Sequence, residues 1–260
     1  MKRRKASYLI PAMFGMLALN SPEAGAGQYS SVVARTNNNG KSVTTPVAWG
    51  ASNNVVFMGI GGTSPSPYSK KSDGAAVLGA GIGDPKEIGV QVSLISLDVS
   101  AWKEYSTSVH LFRHLEDGDA IAVGVENVML TDGGDSGKSF YIVYSRGVQD
   151  ESVVNKASNT TKLHYSVGAG SGRFGDKSPA DILTGKGPHG TYVFGNLAYE
   201  VAESFNVVTD WNGLNLNAGV SKSFEIGNIP FGVTIGLADL TDNSGDGVRF
   251  VGAAGFGFKL

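Results

Sequence analysis

The chain has 260 residues, 37 glycines and no cysteine. Without cysteine it can form neither a disulfide framework nor a thiolate metal site. Its 21 basic and 23 acidic residues give a net charge of −2. Beyond the first five residues the basic residues are not clustered, which argues against a nucleic-acid partner. The length is sufficient for one large domain.

The N-terminal region has the order of a secretory signal peptide. Its first five residues are mostly Lys and Arg, an apolar run from Tyr8 to Leu19 follows, and small residues lead to Ala26. This order predicts a signal peptide over residues 1–26, cleaved near Ala26. The alternative, an interfacial helix or an anchor, is disfavoured because Pro11 and Gly15 interrupt the run.

After the signal peptide, we predict a flexible lead-in over residues 27–45 and a β domain over residues 46–260. Residues 27–42 are polar and rich in Asn, whereas the domain alternates bulky apolar residues with small or polar ones. Alternation with a period of two is typical of strands and predicts about twelve of them, an even number as closure requires. The predicted strands are Val55–Ile60 (with a further one at Val47–Trp49 before it), Ala75–Ile82, Ile88–Val99, Glu104–His114, Asp119–Leu130, Lys138–Val148, Thr161–Ala169, Gly190–Val201, Phe205–Trp211, Leu214–Phe224, Ile229–Leu240 and Val248–Leu260.

The last strand shows the pattern most clearly. Phe250, Phe256 and Phe258 fall on one face, and Arg249 and Gly255 fall on the other. In a soluble sandwich the bulky face would meet a second sheet, whereas in a membrane barrel it would meet lipid. Because the chain ends directly on this strand, we favour an all-β fold: a closed, antiparallel, up-and-down transmembrane β-barrel. A secreted soluble β-sandwich that serves as a binding module is the alternative.

Connection lengths support the barrel with two exceptions. If both chain ends are periplasmic, the connections on that side are expected to be short and those on the other side longer. Most follow this rule. The connection Gln149–Thr160 is long on the side where short turns are expected, and Asn212-Gly213 is tight on the other side.

The polar faces must point into the lumen, because lipid cannot solvate them. Small inward residues and mixed charges predict a tight or partly plugged lumen rather than a wide pore. The residues predicted to line the lumen are Glu104, His110, His114, Glu126, Lys162, His164, Glu200, Asp210, Asn215, Asn217 and Arg249.

The signal peptide, the alternating repeat and the terminal strand together resemble the outer-membrane β-barrel proteins of Gram-negative-type bacteria. Phe256, Phe258 and Leu260 resemble the signal that the barrel-insertion machinery reads, although Leu260 stands where an aromatic residue is usual. The resemblance implies a location in the cell outer membrane, with its lipid and the insertion machinery as partners. It does not indicate a subfamily.

Two groups of polar residues invite a chemical interpretation. An outer-membrane lipid deacylase looks similar in having His-x-Ser on a strand, as His164 and Ser166 do here, and such a pair needs an orienting carboxylate. The pair falls on the inward face with no such carboxylate nearby in the sequence, so we interpret it as lumen wall and expect no catalytic residues. His110 and His114 would lie about 13 Å apart along a strand, too far to share an ion.

We therefore expect no metal and no cofactor. The loop Asp242–Gly247 resembles part of a calcium loop but lacks the Glu at the twelfth position, so we interpret it as an ordinary turn.

The function expected from the sequence is a non-enzymatic, porin-like barrel. It would act as a narrow channel or as an accessory in the envelope or in export, with a small solute or an envelope polymer as its ligand. The alternatives are a barrel lipid hydrolase that uses His164 and Ser166, and the secreted sandwich.

Overall fold

The fold was analysed in a computed structural model that describes residues 34–36, 38–131 and 137–260. The predicted signal peptide, its cleavage site near Ala26 and the lead-in up to residue 33 lie outside the described residues. No helix in the described part of the chain is long and apolar enough to cross a membrane.

Twelve strands form one closed antiparallel barrel, in which sequence neighbours pair and β1 pairs with β14 to close the sheet. The predicted up-and-down barrel is confirmed and the sandwich is wrong. The barrel strands are β1 (Val55–Ser64), β2 (Asp73–Ile82), β3 (Gly89–Asp98), β4 (Lys103–His114), β5 (Asp119–Met129), β6 (Ser139–Gly147), β9 (Leu163–Gly170), β10 (Val193–Ala202), β11 (Phe205–Trp211), β12 (Leu216–Ile226), β13 (Ile229–Ala238) and β14 (Arg249–Lys259).

Two further strands and one helix lie in the connections. The two-residue strands β7 (Val154–Asn155) and β8 (Thr160–Thr161) pair with each other between β6 and β9. Helix α1 (Pro179–Leu183) lies between β9 and β10. We call the end of the barrel where β1 begins the inner end, and the opposite end, which includes α1, the outer end.

The outer surface of the barrel is apolar. Leu78 on β2, Leu94 on β3 and Ile142 on β6 are 50%, 44% and 50% exposed, although side chains of this kind are normally buried. β1, β2 and β3 have 10 residues each, the length with which a tilted strand crosses a bilayer. A wide apolar exterior on a closed barrel is the surface that contacts hydrocarbon.

The lumen is filled by the segment that precedes β1. All residues from Lys41 to Ser52, which we call the plug, are buried. The chain passes Arg35 at the inner end, rises along β10, β11 and β12, and turns near Thr44, where Asp210 and Arg173 hold it. It then descends past Ser145 and Gln91 to the start of β1.

This path corrects two expectations. The described part of the predicted flexible lead-in is fixed inside the barrel from Lys41 onward, and Val47–Trp49 lies in the plug and is not a strand. The barrel wall therefore begins at Val55, not at residue 46. The segment looked flexible because it lacks a period of two, and its local sequence does not reveal that the barrel supplies its hydrogen-bond partners.

The close approach of the plug explains an inward glycine. A Cβ atom on Gly81 would collide with the backbone of Ala51, so only glycine fits on the wall where the plug passes. Gly79 makes room instead for the inward ring of Phe57, with which its Cβ would collide.

If the apolar exterior contacts lipid, a charge in the middle of β2 destabilises the barrel. We expect Leu78→Arg to lower the free energy of unfolding by about 2–4 kcal/mol in lipid bilayers. Leu183→Arg, at an 87% exposed position at the end of α1, is the matched control and is expected to change it by less than about 0.5 kcal/mol. Equilibrium unfolding in urea with vesicles measures both values, and equal costs would contradict lipid contact at Leu78.

Candidate functional site

Asp210 is the main anchor of the plug. One of its carboxylate oxygens, Oδ2, accepts hydrogen bonds from the backbone N–H groups of Val43 and Thr44 at 2.7 and 2.6 Å and from the Ser42 hydroxyl at 3.0 Å. The other, Oδ1, accepts from the Thr44 hydroxyl and from the Asn217 amide. A buried carboxylate is tolerated only with such partners, so the plug and Asp210 stabilise each other.

At the inner end, Lys41 holds the start of the plug. Its ammonium group donates to the side-chain oxygen of Asn206 at 2.6 Å and lies 3.7 Å from the carboxylate of Glu200. Asn206 in turn donates to Ser221. Because Lys41 and Glu200 are both buried, each needs the other for charge compensation.

Near the outer end, Arg173 closes the lumen above the turn of the plug. It lies in the connection from β9 to β10 and pairs with Glu126 of β5, with Nε 2.6 Å from Oε2. It also donates to the carbonyl oxygen of Thr44 at 3.2 Å and lies over the ring of Phe174, 4.1 Å from its centroid. A second buried pair, Arg249–Asp239 at 2.8 Å, lies beside it.

The descending half of the plug packs on an apolar part of the wall. Val47 and Trp49 belong to one buried cluster with Phe112, Tyr141 and Phe194, and the ring of Trp49 meets His164 edge-on at 5.8 Å. The sequence predicted small inward residues and mixed charges, and these inward aromatic rings add a large apolar part that it did not predict. They are present because a lumen filled with protein needs packed side chains, as any protein interior does.

The residues predicted to line the lumen fall into two groups. Three of them are half-buried: Glu104 at the outer end of β4, His114 at the inner end of β4, and Lys162 in the link between β8 and β9. The others are buried inside the barrel, and they are His110, Glu126, His164, Glu200, Asp210, Asn215, Asn217 and Arg249.

The proposed insertion residues stand at the inner end of β14. Phe256 and Phe258 lie in the strand and point outward, and Leu260 follows it and donates its backbone N–H to the carbonyl oxygen of Asn54. Their role as an insertion signal stays a prediction.

His164 and Ser166 do not form a catalytic pair in this conformation. His164 Nε2 lies 2.9 Å from the hydroxyl of Thr161, and the Ser166 hydroxyl lies 2.7 Å from that of Ser145. Both side chains are buried in the lumen, where a lipid substrate has no access. His110 Nδ1 is bonded to the hydroxyl of Tyr141 at 2.7 Å.

Asp181 joins three connections at the outer end. Its Oδ1 accepts hydrogen bonds from the hydroxyl of Tyr68 and from the backbone N–H of Gly245, both at 2.6 Å, and its Oδ2 accepts from Ser178 at 2.7 Å. These residues lie in the β1–β2, β13–β14 and β9–β10 connections. Burial and the bond to Asp181 raise the pKa of Tyr68 to about 12. The three connections together form a cap over the lumen.

The loop Asp242–Gly247, which resembled part of a calcium loop, belongs to this cap. Asp242 pairs with Lys186, and Asp246 accepts a hydrogen bond from the backbone N–H of Tyr68.

The long connection between β6 and β9 holds the chain before it enters the barrel. Arg35 makes two backbone hydrogen bonds to it, donating to Asn159 at 2.8 Å and accepting from Thr161 at 2.9 Å. Gln149 also bonds the backbone of Ala34. This explains why the connection is long at an end where short turns were expected.

A closed antiparallel barrel with an apolar exterior and a polar, partly charged interior is the fold of a transmembrane β-barrel. No protein-family model matches the chain. No curated protein matches it in sequence.

Among solved structures, the chain is similar in fold to several such barrels. They include a KdgM porin in complex with disordered oligogalacturonate (11% identity, TM-score 0.48, 79% of this chain and 99% of the porin covered). They also include outer membrane phospholipase A from Escherichia coli (9%, 0.44, 79% and 96%) and a bacterial polysaccharide outer membrane secretin (10%, 0.39, 80% and 99%). Because the identities and TM-scores are low, these likenesses concern the barrel alone.

We expect the stability of the cap to depend on the ionisation of Asp181. Burial alone would raise its pKa, but the hydrogen bonds from Tyr68, Ser178 and Gly245 outweigh burial and hold the pKa below its usual value. A lowered folded pKa means that this stabilisation is complete above the ordinary Asp pKa of about 3.9 and is lost as the pH falls through the folded value.

We expect the Gly245 amide resonance to titrate with a midpoint below the ordinary Asp value in an NMR experiment. In Asp181→Asn the titration should vanish and the Gly245 amide should exchange faster with solvent at neutral pH. A midpoint at or above the ordinary value would contradict this account of the cap.

Proposed function

We propose that this protein is a non-enzymatic outer-membrane barrel that works as a narrow channel, closed by its own plug in the conformation of this structure. The observation that supports the proposal is the contact between Asp210 and the plug. A single buried wall carboxylate binds the turn of the plug through two backbone N–H groups and two hydroxyls.

Contacts of this kind suit a gate. Each hydrogen bond to the carboxylate contributes only about 1.5–3 kcal/mol net, because water replaces it when the groups separate. The wall that a withdrawn plug would leave behind carries Glu200, Asp210 and Asn217, which water solvates well. The rising and descending halves of the plug both run through the lumen, so withdrawal of the plug would free the space that both halves occupy.

A second candidate is a permanently filled barrel that serves as an accessory in the envelope or in export. The packing of Val47 and Trp49 on inward aromatic residues favours it, because exposing those apolar side chains to water costs about 1.5–3 kcal/mol each. Conductance distinguishes the two candidates, since a permanent filling keeps the barrel closed whichever polar contact is removed.

The channel proposal predicts that weakening the Asp210 contact opens the barrel. In Asp210→Asn the amide nitrogen cannot accept hydrogen bonds from the plug. Buried donors of the plug then lack an acceptor, which destabilises the closed state by about 1–3 kcal/mol. We expect the open fraction to rise roughly 10- to 100-fold above that of the unchanged protein in planar-bilayer recordings, since about 1.4 kcal/mol shifts an equilibrium tenfold.

Asp150→Asn provides the matched control for the Asp210 experiment. It makes the same change of charge at an exposed site in the inner-end connection, where the side chain of Asp150 accepts hydrogen bonds from Ser152 nearby in the sequence. It is expected to leave the conductance unchanged. If correctly folded Asp210→Asn barrels stay as silent as the control, the channel proposal fails and the accessory role becomes the better account.

The non-enzymatic part of the proposal has its own test. Ser166→Ala removes the hydroxyl that would be the nucleophile of a His164–Ser166 pair. We expect lipid hydrolysis by the purified barrel in mixed micelles to be at background both in the unchanged protein and in the variant. Hydrolysis that is present in the unchanged protein and abolished in the variant would restore the hydrolase interpretation.

A further inference from the structure

The plug does not fill the lumen evenly. A cavity lies between its residues Pro46 and Val47 and the wall formed by β3, β4 and β5. The volume of the cavity is about 20 Å³, which is more than the roughly 10–15 Å³ that one water needs. Its polar lining consists of Gln91, Ser93, Ser108, His110, Glu126 and Tyr141.

The polar groups on this side have hydrogen-bonding capacity that the described protein groups do not meet. In the cavity these are the Ser108 hydroxyl and His110 Nε2, and next to it the Ser106 hydroxyl and both polar atoms of Asn127. His110 is 93% buried, being 7% exposed, and Ser106 and Asn127 are fully buried. On the opposite side, Asp210 and Asn217 bond directly to the plug. Two buried atoms there, His164 Nδ1 and Asn196 Oδ1, also lack a described partner, but only the β3–β5 side combines such atoms with the cavity.

An irregularity in the wall concentrates these groups. The pairing of β4 with β5 shifts between Thr107 and Val109, so Ser108 faces a bulge that contains both Glu126 and Asn127. Asn127 has a φ of +58°, and both bulge residues are buried. A β-bulge re-aims side chains, and here it directs two consecutive polar residues to one side of the lumen.

The unmet groups carry no net charge. Glu126 is neutralised by Arg173 through contacts of 2.6 and 3.4 Å, and His110 uses Nδ1 to bond the Tyr141 hydroxyl. Hydroxyl groups, a carboxamide and an imidazole nitrogen therefore remain. They suit a neutral molecule that both donates and accepts hydrogen bonds and is no larger than a few heavy atoms.

We infer that the β3–β5 side of the lumen is a hydrated binding site for water and for neutral polar solutes of similar size, accessible while the plug is in place. Unmet groups in a dry site would each cost about 1–3 kcal/mol, whereas buried water satisfies such groups at little cost. The inference does not rest on opening of the channel, because the site lies beside the seated plug.

Cysteine substitution tests the site directly, because the chain contains no cysteine of its own. Ser108→Cys places one thiol in the cavity, and Ser166→Cys places one on the filled side, where Ser166 is 4% exposed and bonded to Ser145. The purified, folded barrels are treated with hydrogen peroxide, a neutral polar solute of two heavy atoms, and oxidation of the thiol to the sulfenic acid, with release of water, is followed by mass spectrometry. Rates are normalised to those of the denatured chains.

We expect the thiol of Ser108→Cys to react at least about tenfold faster than the thiol of Ser166→Cys. The cavity thiol is in contact with solvent, whereas the control thiol becomes accessible only when the structure opens locally. A larger cationic methanethiosulfonate reagent, which carries a trimethylammonium group, is expected to leave both thiols unmodified. Heat-modifiable migration on a gel verifies folding, and Ser93→Cys, in the same cavity, replaces Ser108→Cys if that variant misfolds. Equal protection of the cavity and control thiols would contradict the presence of a hydrated site. Rapid reaction with the cationic reagent would contradict the conclusion that the site takes neutral solutes of about the size of water.

Discussion

The requirement that every backbone polar group be satisfied inside hydrocarbon governs this structure. A sheet in lipid cannot keep a free edge, so β1 must pair with β14 and the barrel must close. Once it closes, the buried polar side chains of the strands turn inward, and twelve strands enclose more space than their own side chains fill. The plug meets both demands, since its backbone and side chains bond the inward polar groups and its residues occupy the space.

The plug and the wall are therefore matched residue by residue. Asp210 requires donors, and the turn of the plug presents two backbone N–H groups to it. Gly81 is small where Ala51 passes. Glu200 is compensated by Lys41, the first residue of the plug. Removing one member leaves the other buried with fewer partners, so we expect substitutions here to act on the position of the plug before they act on the barrel.

The sequence predicted the wall better than its contents, and the reason is physical. The period of two is a local property, so the twelve strands and the inward side of residues such as His164 and Asn217 follow from neighbours in the chain. The plug has no period, and its side-chain partners on the wall lie between 40 and 173 positions away in the sequence. Arg173 lies in a long connection that looks external, yet it returns to the lumen to pair with Glu126.

The two sides of the lumen differ in a way that bears on how the plug is released. Along β10–β12 the plug and the wall are joined by direct hydrogen bonds, such as those of Lys41 to Asn206 and of Thr44 to Asp210. Along β3–β5 the cavity borders Glu126, whose partner Arg173 also donates to the carbonyl oxygen of Thr44 at the turn of the plug. The turn is therefore held from two sides, by Asp210 on one side and by Arg173 next to the hydrated cavity on the other, and withdrawal of the plug requires that both contacts break.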